Sequence, residues 1–347
     1  MTGPAIGIMA VASHLPDRRV SNAELQKEHP DWDMERLAER TGVYERPIAA
    51  EGETAFDLGL AAFRKLIEAG DLNPTAIGAV IFCTQTPDYI MPPNACLLHE
   101  ALDLSPDVLA FDITLACSGY VYGLTLAESL IVAGRAESVL LVTADTYSHL
   151  IHPQDRTTRC LFGDGAAVSL IGPVKDGEGI VDIRCGTAGT LGDRFMVPAG
   201  GARLKKGPAT TEPGTDRFGN VRTAEHIHMN GFGVLAFANE YMPDAVRDIL
   251  DANGLGVDDL DMVIFHQASR VALDSLCRLT GVSSDKDFRN LATVGNLVSA
   301  SLPVALADAV SQGRLAPGSL VLLCSFGVGL SWGNALIRTP AALTVKT

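Results

Sequence analysis

The sequence predicts an α/β protein built from two halves that repeat one pattern. Two observations lead there. Short apolar runs alternate with stretches of helical periodicity, which is the rhythm of a largely parallel sheet. The order of landmarks also recurs: Ile67–Cys83 ends Ile-Gly-Ala-Val-Ile-Phe-Cys, and Leu250–His266 ends Leu-Asp-Met-Val-Ile-Phe-His. Further on, Gly134-Arg135 precedes Val-Leu-Leu-Val, and Gly313-Arg314 precedes Leu-Val-Leu-Leu. Two matches in the same order argue for an internal duplication, with halves at 1–173 and 174–347.

The N-terminal half begins with a strand over Ile6–Ala10. Ser21-Asn-Ala-Glu24 has the spacing of a capping box and starts a helix. A second helix runs through Arg36–Thr41 and stops at Gly42, and a third spans Thr54–Ala69, with Phe56, Leu60, Phe63 and Leu66 on one face and Gly70 at its end. Buried strands follow at Ala79–Cys83, Val108–Ile113, Ser138–Val142 and Gly165–Ile171. From Gly186 to Thr223 the chain turns rich in Gly, Pro, Thr and charge, and reads as a solvated surface excursion.

The organising stretch is Leu115-Ala116-Cys117-Ser118-Gly119-Tyr120. It joins the strand ending at Ile113 to a helix, Val121–Val132, that is apolar on nearly every side and therefore expected in the middle of the protein. Cys117 falls at the strand-to-helix junction, where free N–H groups and the helix dipole favour a thiolate over a thiol.

Composition narrows the function. With 47% apolar and 20% charged residues over 347 positions, the chain is expected to bury a large core. A net charge of −14 excludes nucleic acid as the expected partner and gives no attraction to an anionic membrane. Cys83, Cys96, Cys117, Cys160, Cys185, Cys277 and Cys324 form no CxxC pair. That odd count, with no cationic segment leading an apolar core at the N-terminus and no membrane-length apolar run, points to reduced thiols in the cytoplasm and to no metal site.

The duplication selects three residues. Placing Phe82 on Phe265 makes the strand ends at Cys83 and His266 equivalent, and the same step back from Gly134 and from Gly313 lands on Cys117 and on Asn296. Alone, His266 could be a satisfied core residue and Asn296 an N-cap. Together with Cys117 they suit one chemistry: a thiolate that carries an acyl group, and two donors that stabilise an enolate as a malonyl thioester loses CO2. The Gly-rich stretch Gly327–Gly333 could bring a backbone donor to the reacting carbonyl. Phe162-Gly-Asp-Gly-Ala166 shows a tight turn only.

These residues resemble the β-ketoacyl-acyl-carrier-protein synthase III family of the thiolase-like superfamily. The likeness is carried by Arg40–Arg46, Ala116-Cys-Ser-Gly119, Phe162–Ala166, His266-Gln-Ala268, Gly295-Asn296 and Phe326-Gly-Val-Gly329. The resemblance implies a five-layer α-β-α-β-α fold, a homodimer and a catalytic triad of Cys117, His266 and Asn296. It implies an oxyanion hole from the amides of Cys117 and Val328. Arg40 and Arg156 match positions near the coenzyme A nucleotide, and Met91 matches a residue that lines the partner's acyl pocket.

The substrates implied are acyl-CoA and a malonyl thioester on coenzyme A or acyl carrier protein, with no cofactor. Departures from the family pattern concern the second substrate. Arg36 stands where a tryptophan often stacks on adenine, with Trp32 one turn earlier as its replacement. Ser269 stands where an Asn follows His-Gln-Ala, and Ala236 where a basic residue often helps dock the carrier. They suggest a specialised lipid or secondary-metabolite pathway. Two other activities suit the same residues: acyl transfer to an alcohol or amine, and a Cys-His-Asn hydrolase. A non-catalytic partner subunit would normally have lost Cys117.

Overall fold

The computed structural model describes residues 4–68 and 74–347. The expected helix stop at Gly70 lies outside them. The first half contributes strands β1 (Ile6–His14), β2 (Ile77–Cys83), β3 (Leu109–Ile113), β4 (Ser138–Asp145) and β5 (Gly165–Pro173), with helices α1 (Ala55–Glu68), α2 (Asn94–Ala101) and α3 (Gly119–Val132). The second contributes β6 (Gly179–Thr187), α4 (Gly231–Ala252), β7 (Met262–Phe265), α5 (Arg270–Thr280), α6 (Ser301–Ser311), β8 (Leu320–Gly327) and β9 (Ser331–Arg338). A last strand, β10 (Thr344–Lys346), returns to pair in parallel with β1.

The repeat is visible in the pairing. The first sheet runs β10-β1-β5-β4-β2-β3 and the second β7-β8-β9-β6. Within them, β1-β5-β4-β2 and β6-β9-β8-β7 have the same order and the same antiparallel, antiparallel, parallel directions. In the second sheet a parallel bridge from Val263 to Asp287 takes the place of β3. Phe82 pairs with Val142 on β4, and Phe265 with Cys324 on β8.

Alternation along the strands builds the layers, because successive side chains point to opposite faces. On one face of the first sheet, Val80, Phe82, Leu140 and Val142 pack under Leu58, Phe63 and Leu66 of α1 and Leu98 of α2. On the other, Ile81 and Leu141 meet Val121 and Leu124 of α3 and Leu302 and Leu306 of α6. The same central helices receive Ile264 and Leu323 of the second sheet, whose far face carries Phe265 and Leu322 under α4 and α5. The result is the five-layer α-β-α-β-α arrangement.

Local chemistry sets the boundaries. Ser21 accepts from the Glu24 amide while Glu24 reaches back to the Ser21 amide, so the capping box forms. Gly42 ends the helix Met34–Thr41 with φ 75°.

Three expectations need correction. The run to Ile113 is no buried strand: β3 forms the sheet edge with Leu109 43% exposed, because among the described residues no further strand pairs with its outer side. Helix α3 is not buried on all sides, since Val121, Leu124 and Ala127 face the centre while Leu126 and Val132 face outward. The segment from Gly186 to Thr223 is not simply solvated. Phe195 packs edge-on against Tyr147, and Arg222 pairs with Asp155 at 2.6 Å and Asp216 at 3.1 Å.

Among the described residues, no helix is long and apolar enough to cross a membrane.

Candidate active site

Cys117 stands two residues before α3 and is buried. Gly327, the last residue of β8, lies against it. A Cβ built on Gly327 would lie 2.8 Å from Cys117 Cβ, 2.9 Å from Sγ and 3.5 Å from the amide nitrogen. Only glycine fits, so the backbone of the second half reaches the cysteine of the first. The turn from β8 to β9 is shorter than a Gly-rich loop, because β8 runs to Gly327 and β9 resumes at Ser331.

That turn is held by hydroxyls. Ser118 Oγ and Ser331 Oγ are 2.7 Å apart, and Ser331 Oγ donates to the Val328 carbonyl at 2.9 Å. Among the described residues, the amides of Cys117 and Val328 donate to no acceptor of another residue. N–H groups left without an acceptor are of the kind that can donate to a developing oxyanion.

His266 follows β7, and its amide donates to the Cys324 carbonyl at 2.7 Å. Its ring meets Phe326 edge-on, with centroids 5.7 Å apart, one residue from Gly327. Burial holds the imidazole down to about 3, and Nδ1 has no partner among the described residues. A neutral ring results, suited to hydrogen bonding rather than to strong base catalysis.

Asn296 is built into the boundary from both sides. Its amide donates to the Leu161 carbonyl at 2.9 Å, and its own carbonyl accepts from Gly163 at 3.0 Å. The Gly-Asp-Gly turn is thus more than a turn: Gly163 cradles the Asn296 backbone, and a Cβ there would strike the Val294 carbonyl at 2.4 Å. The turn is anchored by Asp164, which accepts from the Ala49 amide at 2.8 Å and the Ser148 amide at 3.0 Å. Asn296 Oδ1 accepts from the Val298 amide at 2.9 Å, which leaves the NH2 end free of any partner among the described residues. Phe162, Val298, Phe326 and Cys117 belong to one packed cluster, so the surroundings of the three residues are continuous.

Electrostatics corrects one expectation. Burial pushes the Cys117 thiol well up, and the charge of Asp145 pushes the same way. Desolvation therefore outweighs the helix start, and Cys117 rests as a thiol.

Family models for 3-oxoacyl-[acyl-carrier-protein] synthase III match residues 111–189, and for its C-terminal part residues 250–339. A β-ketoacyl-[acyl-carrier-protein] synthase III of Symbiobacterium thermophilum is 35% identical over 333 residues, covering 96% of this chain and 98% of its own. A Streptomyces coelicolor β-ketoacyl-[acyl-carrier-protein] synthase III 3 is 37% identical over 336 residues, covering 96% and 97%. The chain belongs to the β-ketoacyl-acyl-carrier-protein synthase III family. A crystal structure of a 3-oxoacyl-(acyl-carrier-protein) synthase III superposes with a TM-score of 0.94 at 39% identity, covering 96% of this chain and 100% of that one. The priming β-ketosynthase of the R1128 polyketide pathway gives a TM-score of 0.83 at 27% identity, covering 98% of each chain. The protein is accordingly a condensing acyltransferase with the thiolase-like fold.

The other residues expected to bind substrate lie on separate elements. Arg40 is exposed at the end of the helix Met34–Thr41, and Arg156 is half-buried, donating to the Phe218 carbonyl at 3.0 Å. Met91 is exposed beside Tyr89 and Ile90. Trp32 requires correction: it is buried with Val20, Leu25, Met34 and Cys160 and stacked on His29 at 3.9 Å, so it offers no face to an adenine ring. Ser269 caps α5, accepting from the Ala272 amide at 3.3 Å, which commits its oxygen to the helix.

Sequence reasoning missed Asp145, Ser299, Ser118 and Ser331. Asp145 ends β4, as functional groups in α/β proteins often end strands. Ending that strand at Val142 hid it.

Proposed function

We propose that Cys117 attacks the carbonyl of an acyl-CoA, giving an acyl-cysteine and free coenzyme A, which leaves with the thiol proton. A malonyl thioester then binds beside His266 and Asn296, whose N–H groups hydrogen-bond its thioester carbonyl. Loss of CO2 leaves an enolate, its carbon attacks the acyl-cysteine carbonyl, and the Cys117 sulfur departs and regains a proton. The product is a β-ketoacyl thioester.

One observation carries this reading: bare Gly327 lies against the Cys117 thiol, and the amides of Cys117 and of Val328, the residue after Gly327, donate to no acceptor of another described residue, which supports their use as donors to the reacting carbonyl. The neutral character of His266 supports condensation over transfer to an alcohol or amine, which would need a competent base near neutral pH. An imidazole held down to about 3 and an asparagine amide act as donors without changing charge.

Arg40 and Arg156 bind the nucleotide end of coenzyme A. Two copies form a homodimer across the free edge of β3 and the outward face of α3, and Met91 enters the partner's acyl channel. The exposure of Ile90 (95%) and Met91 (78%), with Leu126 and Val132 outward on α3, supports that assembly. The enzyme works in the cytoplasm and needs no cofactor. Ser269, the exposed Ala236 and a net charge of −14 support a specialised lipid or secondary-metabolite role, since none helps steer an acidic carrier.

The test is to offer malonyl-CoA and malonyl-acyl-carrier protein to acyl-loaded enzyme. Release of CO2 together with a β-ketoacyl thioester is the expected result. Transfer of the acyl group to an alcohol or amine without CO2 would contradict it.

A further inference from the structure

Asp145 is 1% exposed, yet it forms no ion pair among the described residues. Its carboxylate instead spans the two halves. Oδ1 accepts from the Gln85 amide at 2.8 Å and lies 3.4 Å from Thr84 Oγ1, both just beyond β2. Oδ2 accepts from the Ser299 amide at 3.3 Å and from the Ser299 hydroxyl at 2.5 Å. One buried carboxylate thereby ties the loop after β2 to the turn that follows Asn296.

The turn needs such a tie. Val298 has φ 54°, the left-handed region that β-branched residues avoid. Such a conformation persists only where its surroundings hold it. Val298 is held on one side by Asn296 Oδ1, which accepts a hydrogen bond from its amide, and on the other by Ser299, gripped by Asp145. The orientation of the Asn296 amide is thus coupled to Asp145 through two adjacent residues.

We propose that Asp145 is a positioning residue for decarboxylation: by gripping Ser299 it holds the Val298 turn, and so aims the Asn296 NH2 at the malonyl thioester carbonyl. The inference rests on the roles proposed above for Cys117 and Asn296. Once ionised, above about pH 7, the same carboxylate opposes the other half of the reaction, because its charge resists ionisation of the Cys117 thiol. Loss of a merely structural residue would slow both steps. Loss of Asp145 is expected to split them.

The experiment compares full-length wild type, Asp145→Asn and Ser299→Ala. One measurement is the rate at which iodoacetamide modifies Cys117, the other the rate of CO2 release from a malonyl thioester. An amide at 145 turns an NH2 toward one of the donors that the carboxylate served, and removes the charge. Asp145→Asn is expected to react with iodoacetamide at least as fast as wild type, and to release CO2 about tenfold or more slowly, the scale of a lost charge-assisted hydrogen bond. Ser299→Ala keeps the carboxyl group and loses a donor that favours its ionised form, so alkylation proceeds at no less than the wild-type rate while CO2 release falls. If Asp145→Asn fails to fold, Ser299→Ala alone decides. Variants in which CO2 release falls no more than alkylation would overturn the role of Asp145. Wild type that alkylates at Cys117 but releases no CO2 would overturn the proposed function instead, and the inference with it.

Discussion

Gly327 lies against Cys117 so closely that a methyl group between them would sit 2.9 Å from the sulfur. The contact joins the end of β8 in one half to the residues that lead into α3 in the other. Gly327→Ala is therefore expected to lower the rate of Cys117 acylation by at least tenfold. Overpacking at this position costs about 1–3 kcal/mol of stability. Thermal melting and intact-mass kinetics would check the pair of effects, and a variant that melts and acylates like wild type would contradict the contact.

Asn296 has two ends with separate tasks. Its Oδ1 secures the Val298 amide, while its NH2 is free. Asn296→Asp keeps the acceptor and loses the donor, so it should fold normally, load acyl groups, and release CO2 about 100-fold more slowly. Asn296→Ala also strands the buried Val298 amide, and should melt lower by an amount equivalent to about 1–3 kcal/mol. Equal melting temperatures for the two variants would contradict the division.

His266 and Asp145 pull the pH dependence of stability in opposite directions. Burial holds His266 down to about 3 and Asp145 up to about 7. As pH falls below about 6.5, unfolded His266 takes up a proton that the native ring does not, so native stability falls. Asp145 has the opposite sign. Between about 4 and about 7 its native carboxyl keeps a proton that the unfolded chain releases, so native stability rises as pH falls. Each slope is about 1.4 kcal/mol per pH unit, and the two offset one another between about pH 4 and 6.5. Asp145→Asn removes one of them. On acidification from about pH 6.5 to 4.5, its stability should fall more steeply than that of wild type by about 1.4 kcal/mol per unit. Denaturation midpoints measured across that range test this, and parallel curves would contradict it.

The exposed apolar edge makes a prediction about assembly. Wild type should sediment at twice the chain mass of 36.6 kDa, and Ile90→Asp should shift the population toward the single chain. A charge at a site that is 95% exposed costs nothing in a monomer, so melting at low concentration should be unchanged. A wild-type monomer at micromolar concentration would contradict the homodimer.

How far the sequence reveals this depends on which forces act locally. Ser21 and Gly42 set helix ends by chemistry confined to a few residues, and both are legible. The duplication is legible because buried strands keep an apolar signature, so Phe82 and Phe265 point to the equivalence of Cys83 and His266. The exposure of Leu109 and Val132 is not, since an apolar run carries no mark of whether this chain or another covers it. Trp32 looks like a free ring in sequence and is buried because Val20 and the distant Cys160 pack with it, beside the stack on His29. The clamp from Asp145 to Ser299 is silent, because it forms only when residues 154 positions apart meet at the boundary between halves. The resting state of Cys117 is equally silent: the helix start is readable, the depth of burial is not.

The central claim is that Cys117 carries the acyl group, and intact mass tests it most directly. Purified protein and Cys117→Ala would each be incubated with acyl-CoAs of increasing chain length. The account predicts a mass gain equal to the acyl group in wild type alone, mapped to Cys117, with the preferred length shown by the fastest gain. An equal gain in Cys117→Ala, or none with any acyl-CoA or acyl-carrier protein, would contradict it.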